Sequence, residues 1–517
     1  MKSFIEMFTD ARAVSTPLIA VRTFDPASVM QAVKKSLGEK IAETPLLSWD
    51  SINGLRGLTD DLGVPALATM CNAADVAVGA TCDISIALAA LSFATEDFII
   101  FVHNPQLRWD DDKKAIQGIW NLRDNYKANG NMLVLLIGPG DVLPMELQQD
   151  TLILEEPLPS REELAAIITD TYKFASLNKA YEKCKTPPTA AVIKTGTDAL
   201  VGLPAFPSEQ ATAMSLDKVN GVLSIENLWT RKRDIVSQRQ GLGYHSGKET
   251  LADMYGNEAI RAFGQAYLEG KHSPVLVLRM DEIEKQFAGA STDSSGTKGN
   301  LLGEWLEWVN DRGIVCSLFY GIPGGAKSWT AYCLGGHYGK PVINYSIPGM
   351  EHEFVGNSQR NMRNAHKTLD AISDGKIWLI ATANRLGTLP AEVISRFQIG
   401  GIWFFDQNDA ECEGIMKLKI AKYGLDPNQP LPNMTLWTGR DVDNCARKAV
   451  ITEKSLVEAA EFVIPMMASH KEQMEELRQA ASGRYLSAAK SGLYTYTKPA
   501  DFKHQPRVTV TDGRKMR

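Results

Sequence analysis

The sequence predicts an α/β protein built on two parallel sheets with helices packed on their faces. Two regions, at about 1–157 and 271–407, alternate short apolar runs with amphipathic stretches, as buried parallel strands and their crossover helices do. Mainly helical sequence follows each region. In the second region, a glycine-rich loop lies directly between an apolar strand and a helix.

The composition excludes several classes of protein. The 517 residues correspond to about three or four structural units. With 55 basic and 61 acidic residues the net charge is −6, which argues against a general nucleic-acid binder. No apolar run approaches the ~20 residues that cross a bilayer, and the first residues lack the pattern of a secretory signal. The seven cysteines are scattered without a CxxC pair, so we expect no disulfide framework, no zinc site and a cytoplasmic location.

Apolar runs in the first region predict five strands, at 16–24, 44–49, 97–104, 131–140 and 150–157. After the first of these strands the chain continues RTFDPASV, which is not a glycine-rich phosphate loop. We therefore expect this region to keep an α/β fold without the chemistry of nucleotide binding. Residues 158–230 are predicted to form a helical, lid-like subdomain, and residues 231–270 a connector.

Apolar runs in the second region predict five more strands, at 274–280, 313–320, 341–347, 376–383 and 401–405. A helical lid is predicted over 408–485. An extended tail that ends in basic sequence is predicted over 486–517.

The segment GIPGGAKS (321–328) fits the phosphate-binding pattern G-x-x-x-x-G-K-[ST], except that Ala326 replaces the last glycine. The backbone N–H groups of such a loop surround phosphate oxygens, while Lys327 supplies a positive charge and Ser328 reaches Mg²⁺. Alanine suits this position only where φ is not positive, and we expect that condition to hold. The predicted nucleotide-binding residues are Gly321, Ile322, Pro323, Gly324, Gly325, Ala326, Lys327, Ser328 and Trp329. The alternative is a chance glycine-rich turn.

An acidic pair, Asp281 and Glu282, follows the predicted strand 274–280. At a strand tip beside a phosphate loop, Asp281 would hold Mg²⁺ through water, and Glu282 would polarise the attacking water. The alternative is an ordinary acidic pair at the surface end of a strand.

Together these motifs resemble the AAA+ ATPases, and more closely the clade of hexameric protein remodellers. The resemblance rests on GIPGGAKS as Walker A, MDEIEK (280–285) as Walker B, FVGNSQRNMR (354–363) as pore loop and helix, IATANR (380–385) as sensor 1 and SRF (395–397) as the arginine finger. It covers residues 250–450 well. The first region is more weakly similar to the degenerate first module of tandem AAA+ proteins. The resemblance implies a three-layer αβα P-loop NTPase core with a helical lid.

The order of these motifs differs from that of the family. In the family, Walker B follows the pore loop, whereas in this chain it precedes Walker A. One β–α unit is therefore transposed, as in a local circular permutation. The family's sheet order is 5-1-4-3-2, and this chain would visit those strands in the order 3, 1, 2, 4, 5. Both altered connections keep right-handed crossovers, so we expect the usual active site on rewired strands. The alternative is that the acidic pair is a mimic and hydrolysis is lost.

The resemblance implies roles for three more residues. Asn384 would be the sensor 1 residue that orients the attacking water, and the alternative is a helix cap. Arg396 would be an arginine finger that reaches the neighbouring subunit's nucleotide. The family often has aspartate at the position of Gln398, so the sequence departs from the pattern there. The alternative is that Arg396 is a surface arginine. Arg440 would be a sensor 2 residue that contacts the γ-phosphate from the lid, and the alternative is a solvated arginine at a helix start.

Phe354, Val355 and Gly356 resemble the pore loop that grips an extended polypeptide, and the alternative is an apolar contact at a helix entry. The expected protein is an ATPase that uses ATP and Mg²⁺ in a homo-oligomeric ring, most often a hexamer, and remodels or threads a protein substrate or works with an adaptor. No membrane association is expected. Two alternatives stay open: a nucleic-acid motor or loader, and an assembly protein that binds ATP with little turnover.

Overall fold

The computed structural model describes residues 3–94, 97–109, 112–245, 248–287, 297–351, 357–373 and 375–497. The strands are β1 (Leu18–Arg22), β2 (Leu46–Asp50), β3 (Gly54–Gly57), β4 (Ile99–His103), β5 (Met132–Ile137), β6 (Leu152–Glu155), β7 (Leu216–Asp217), β8 (Val222–Leu223), β9 (Leu242–His245), β10 (Leu276–Met280), β11 (Val315–Gly321), β12 (Val342–Tyr345), β13 (Ile377–Ala383), β14 (Ile402–Phe405) and β15 (Leu486–Ser487).

The α-helices are α1 (Phe4–Ala13), α2 (Pro26–Leu37), α3 (Gly63–Ala73), α4 (Ile84–Leu91), α5 (Lys113–Asn129), α6 (Met145–Gln148), α7 (Arg161–Ser176), α8 (Ala190–Leu200), α9 (Ala205–Ser215), α10 (Ile225–Ser237), α11 (Glu258–Glu269), α12 (Ile283–Gln286), α13 (Thr297–Asp311), α14 (Lys327–His337), α15 (Asn357–Ser373), α16 (Ala391–Ser395), α17 (Asp409–Tyr423), α18 (Gly439–Thr452), α19 (Leu456–Ala460), α20 (Met466–Ser469) and α21 (Lys471–Ala481).

The chain divides into two compact units, and each unit takes up three separate segments. The first unit comprises Met1–His245, Gly289–Gly313 and Asn344–Lys376. The second unit comprises Ser246–Ala288, Ile314–Ile343 and Ile377–Arg517.

The first unit contains a six-stranded sheet in the order β3-β2-β4-β5-β1-β6. The strands pair in parallel except for β3, which pairs antiparallel with β2. Successive residues of β1 point to opposite faces of the sheet, so Leu18 and Ala20 enter one apolar core while Ile19 and Val21 enter another. Both faces are therefore buried, which explains why these strands are apolar runs without polar alternation.

One face of helix α15 is positively charged and makes polar contacts with other parts of the first unit. Arg360, Arg363 and Lys367 are spaced so that they lie on the same side of the helix. Arg360 Nε lies 2.6 Å from Asp141 Oδ1, and Lys367 Nζ lies 2.8 Å from Glu155 Oε1. Arg363 Nε donates a hydrogen bond of 3.2 Å to the backbone carbonyl of residue 140. The Asp141 side chain is 5 % exposed and that of Arg360 is 39 % exposed, so the carboxylate is removed from water while the arginine stays partly exposed.

The second unit holds the strands β15-β14-β11-β13-β10-β12 in that order. The pairs that join β10, β11, β13, β14 and β15 are parallel. All seven residues of β13 are buried between β10 and β11. Met280 pairs with Ala381 and Tyr320 pairs with Ala383, so the segments that follow β10, β11 and β13 leave the sheet at the same edge.

Helices α17, α18 and α19 share an apolar core, which includes Met416, Cys445 and Leu456. Arg478 of helix α21 donates two hydrogen bonds, of 2.9 and 2.7 Å, to Asp406, which directly follows β14. Helices α17 and α18 supply one wall of the cavity described next.

Candidate active site

A cavity of about 560 Å³ lies in the second unit at the edge where β10, β11 and β13 end. Its wall includes residues from the segment after β10, from the loop between β11 and α14, and from α17 and α18. This is the edge at which ligands bind in parallel α/β sheets. Cavities of this volume are typical of small-molecule sites.

The loop between β11 and α14 requires two glycines. Gly321 has φ 143°, and a Cβ there would lie 2.3 Å from the backbone oxygen of Phe405. Gly324 has φ 87°, and its Cβ would lie 2.6 Å from Thr438 Oγ1. The loop therefore follows a path on which side chains do not fit. Its residues that line the cavity are Pro323, Gly324, Ala326, Lys327, Ser328 and Trp329. Ile322 instead packs inward and is 1 % exposed.

The expectation for the backbone of Ala326 is wrong. Its φ is +63° and its ψ 17°, which is the left-handed region, and it is the residue directly before α14. A left-handed conformation costs a residue with a Cβ roughly 1–2 kcal/mol. The loop holds Ala326 in a backbone conformation that glycine would adopt easily, and the alanine is therefore strained.

Lys327 opens α14 and is 8 % exposed. Its Nζ donates hydrogen bonds to the backbone oxygens of Gly321 and Ile322, at 2.8 and 2.9 Å, and to Asn384 Oδ1 at 2.9 Å. Burial lowers the pKa of Lys327 to about 8, although nearby carboxylates, first Glu284, act in the opposite direction. A buried ammonium at the start of a helix, where backbone N–H groups also point outward, favours an anionic ligand.

Asp281 joins the two segments that sequence analysis singled out. Its Oδ1 accepts hydrogen bonds of 2.6 Å from Ser328 Oγ and from Thr382 Oγ1. Its Oδ2 pairs with Arg279, whose guanidinium also lies 4.5 Å from the centre of the Tyr332 ring. Asp281 and Ser328 are 47 residues apart in the chain, and the parallel pairing of the strands brings them together.

Glu282 lines the same cavity. It has the left-handed backbone angles φ 48° and ψ 54°, and its Oε2 lies 2.7 Å from Lys285 Nζ. Asn384 also lines the cavity, and its backbone N–H donates to Glu284 Oε1 at 3.0 Å. The acidic pair, the loop lysine and serine, and Asn384 therefore meet in one place.

The other end of the cavity is built around Trp329. Its indole N–H donates a hydrogen bond of 3.1 Å to the backbone oxygen of Asp253, and Lys419 and Lys422 lie 5.8 and 5.6 Å from its ring centre. Apolar and aromatic groups complete this end of the cavity: Met254, Tyr255, Ile415 and Tyr423. An aromatic, partly apolar wall suits a planar base. Sequence analysis missed all of these except Trp329.

Arg440 is the second residue of α18, is exposed and lines the cavity. A Cβ on Gly324 would lie 3.2 Å from Arg440 Cβ, so the start of α18 closely approaches the glycine-rich loop. Gln407 Oε1 accepts a hydrogen bond of 2.7 Å from the N–H of Gly439 and so helps to fix this helix start.

Two predicted groups do not belong to this cavity. Arg396 directly follows α16 and is not among the residues of the described chain that line it. Burial raises the pKa of the Cys316 thiol to about 12, with the charge of Arg396 opposing the rise. The charge of Arg396 therefore acts on Cys316, which is the second residue of β11. The predicted pore-loop residues Phe354, Val355 and Gly356 lie outside the described residues.

The architecture, parallel sheets flanked by helices, is consistent with an AAA-type α/β fold. Residues 4–156 match the sequence family described as SpoVK-like AAA ATPase, N-terminal domain. This match supports an AAA+ ATPase, and it covers less than a third of the chain, all within the first unit. A comparison with curated proteins finds none that matches this chain. Among the described residues, no helix is both long and apolar enough to cross a membrane.

Proposed function

We propose that this chain hydrolyses ATP at the cavity of the second unit, with its Walker B segment encoded before Walker A. The observation that carries the proposal is the 2.6 Å contact between Asp281 Oδ1 and Ser328 Oγ. An aspartate at a strand tip beside the first hydroxyl of a phosphate loop is the arrangement that P-loop NTPases use for Mg²⁺.

The strand order supports the transposition. Taken with β11 as the Walker A strand, β14-β11-β13-β10-β12 corresponds to the AAA+ order 5-1-4-3-2. The Walker B strand β10 then occupies its usual place beside the sensor strand β13, although it comes earlier in the chain. The alternative, in which the acidic pair is a mimic and hydrolysis is lost, is distinguished by the release of phosphate in the test described below.

The residues present fit Mg²⁺ and a nucleoside triphosphate. Mg²⁺ prefers oxygen ligands and keeps several waters, and Asp281 and Ser328 offer two adjacent oxygens on the open side of the sheet edge. Lys327, Arg440 and the lid residue Arg447 supply positive charge around the glycine-rich loop. When bound, Mg²⁺ would neutralise charge on the phosphates.

The remaining groups take distinct roles in the proposed reaction. Glu282 faces the cavity and acts as the base for the attacking water, while Asn384 orients that water. Lys327 exchanges its backbone acceptors for phosphate oxygens when ATP enters. The Trp329 end of the cavity holds the base of the nucleotide.

Arg396 is proposed to act on the nucleotide of a neighbouring subunit, since it lies outside the cavity of its own chain. Because the next subunit supplies this arginine, ATP hydrolysis would depend on a head-to-tail ring of subunits. The proposed number of subunits in the ring is six. Remodelling or threading of a protein is the proposed use of the cycle. Phe354→Ala should then abolish substrate processing and leave basal ATP turnover intact.

The test of the proposed ATPase activity compares four purified variants for ATP binding and phosphate release. Lys327→Ala should lose ATP binding, while Glu282→Gln should bind ATP and release no phosphate. Lys417→Ala and Glu413→Gln, which change exposed side chains outside the cavity, should behave as the wild type. Wild-type turnover in Glu282→Gln would remove Glu282 from its role. Bound ATP without phosphate release by the wild-type protein would favour an assembly protein, and turnover that nucleic acid stimulates and salt suppresses would favour a nucleic-acid motor.

A further inference from the structure

Two side chains that lie within the recognised motifs, but to which the sequence analysis assigns no role, connect the acidic segment after β10 to the strand β13. Thr382, which is 2 % exposed, lies in β13, and Glu284 lies in α12. Each makes a hydrogen bond to a residue that the proposed reaction uses, and each bond joins parts of the chain about 100 residues apart.

The Thr382 hydroxyl contacts both members of the acidic pair. It donates a hydrogen bond of 2.6 Å to Asp281 Oδ1, and it accepts one of 3.0 Å from the backbone N–H of Glu282. One hydroxyl can do both, because it carries one hydrogen and two lone pairs. The hydroxyl therefore fixes the direction of the Asp281 carboxylate and the position of the Glu282 backbone at the same time.

The Glu282 backbone needs such a partner. Its left-handed angles are unusual for a residue with a Cβ, and conformations of this kind persist where surrounding contacts hold them. The Glu282 N–H would lose its partner if the Thr382 hydroxyl were absent. The backbone could then relax and move the Glu282 carboxylate away from the cavity.

Glu284 acts on the other side of the site. Its Oε1 accepts a hydrogen bond of 3.0 Å from the backbone N–H of Asn384, and Asn384 Oδ1 in turn accepts the bond of 2.9 Å from Lys327 Nζ. Its second oxygen, Oε2, is buried and makes no hydrogen bond within the described residues. The carboxylate is thus held in place beside the sensor strand and does not line the cavity as Glu282 does.

We infer that Thr382 and Glu284 are positioning residues for ATP hydrolysis: Thr382 sets Asp281 and Glu282, and Glu284 sets Asn384. The inference rests on the proposed ATPase function. Thr382 lines the cavity and Glu284 does not, and both act through hydrogen bonds to Asp281, Glu282 and Asn384. Removing either should therefore reduce the rate of the chemical step and spare nucleotide affinity.

The first test removes and then restores the Thr382 hydroxyl. Thr382→Val keeps the shape of the side chain, while Thr382→Ser keeps the hydroxyl. Thr212→Val is the matched control, because Thr212 is also buried and its hydroxyl bonds only within a helix, to Ser208. We expect Thr382→Val to lower kcat at least tenfold and to weaken Mg²⁺ binding to the ATP-loaded protein, with the Kd for ADP in EDTA changed less than threefold. Thr382→Ser should recover most of kcat.

The second test compares Glu284→Gln with Glu284→Ala, and it stands even if Thr382→Val does not fold. Glutamine keeps an oxygen that can accept from the Asn384 N–H, and alanine does not. We expect Glu284→Ala to lower kcat at least fivefold at unchanged ADP affinity, and Glu284→Gln to stay within twofold of the wild type.

The outcomes separate the two claims. A wild-type protein that binds ATP but never releases phosphate overturns the proposed function. A wild-type protein with normal turnover, together with unchanged kcat in Thr382→Val and Glu284→Ala, overturns the positioning roles alone. Lost activity that serine and glutamine fail to restore, or parallel losses of ADP affinity, would assign both residues a general structural role and would also overturn the inference.

Discussion

Lowering the pH from 7 to 5 should destabilise the first unit, and His366 in α15 makes a contribution that can be isolated. Its ring is 5 % exposed, stacks on Trp308 with 4.1 Å between ring centres, and has Nε2 at 2.8 Å from the Tyr345 hydroxyl. Burial lowers the pKa of His366 to about 3. The folded protein therefore keeps this histidine neutral at pH values at which the unfolded chain protonates it.

The sign and the magnitude follow from that difference. An unfolded histidine has a pKa of about 6.5, so the stability that the neutral ring provides is complete above that value and is lost as the pH falls toward 3. Between pH 7 and pH 5, the unfolded histidine gains about 0.7 of a proton, whereas the folded one gains almost none. The free energy of unfolding should fall by about 2 kcal/mol from His366 alone.

The assay is urea unfolding at both pH values, followed by circular dichroism, for the wild type and for His366→Gln. Glutamine cannot titrate and can still reach Tyr345, so this variant should lose about 2 kcal/mol less between pH 7 and pH 5 than the wild type does. His272→Gln, which changes an exposed histidine, should follow the wild type. Equal losses in the wild type and in His366→Gln would refute the reasoning.

Three further predictions concern the loop, the α15 contact and the proposed finger. Ala326→Gly should stabilise the ligand-free protein by about 1 kcal/mol, because glycine adopts the observed positive φ with little strain, and a lower melting temperature would contradict this. Arg360→Met should cost about 2 kcal/mol in urea unfolding because it leaves Asp141 buried without its partner. Burial already raises the pKa of Asp141, so Asp141→Asn should cost less than Arg360→Met; the reverse order would be evidence against this account of the pair. Arg396→Ala should bind ATP and lose turnover, and mixing it with Lys327→Ala subunits should restore part of the turnover; failure of mixing to restore any would argue against a finger shared between subunits.

The central strands of both sheets could be predicted from the sequence, because strands buried on both faces are unbroken apolar runs. The same rule predicted the place of Asp281, Lys327 and Asn384, since parallel strands carry their following segments to one edge. The order of the motifs along the chain was no obstacle, because the edge at which a strand ends depends on the direction of the strand and not on its position in the sequence.

The short strands β3, β7, β8, β9 and β15 could not be predicted, because none of them lies in an apolar run of strand length and each depends on a neighbouring strand. The Trp329 end of the cavity was missed for a related reason. Met254 and Tyr255 come some 70 residues before the glycine-rich loop, and nothing local marks them as its partners. The backbone angle of Ala326 could not be predicted either. A residue type gives only a preference for φ, and the conformation of the loop imposes a positive φ on this alanine.

The most direct test of the central claim is a double-mutant cycle on Mg²⁺-dependent ATP affinity, with Asp281→Asn, Ser328→Ala and the combined variant. If both side chains hold one Mg²⁺, the combined variant should be barely weaker than the worse single variant, with a coupling energy of about 1 kcal/mol or more. Fully additive losses would show that the two side chains act at separate places, and this would contradict a shared metal site.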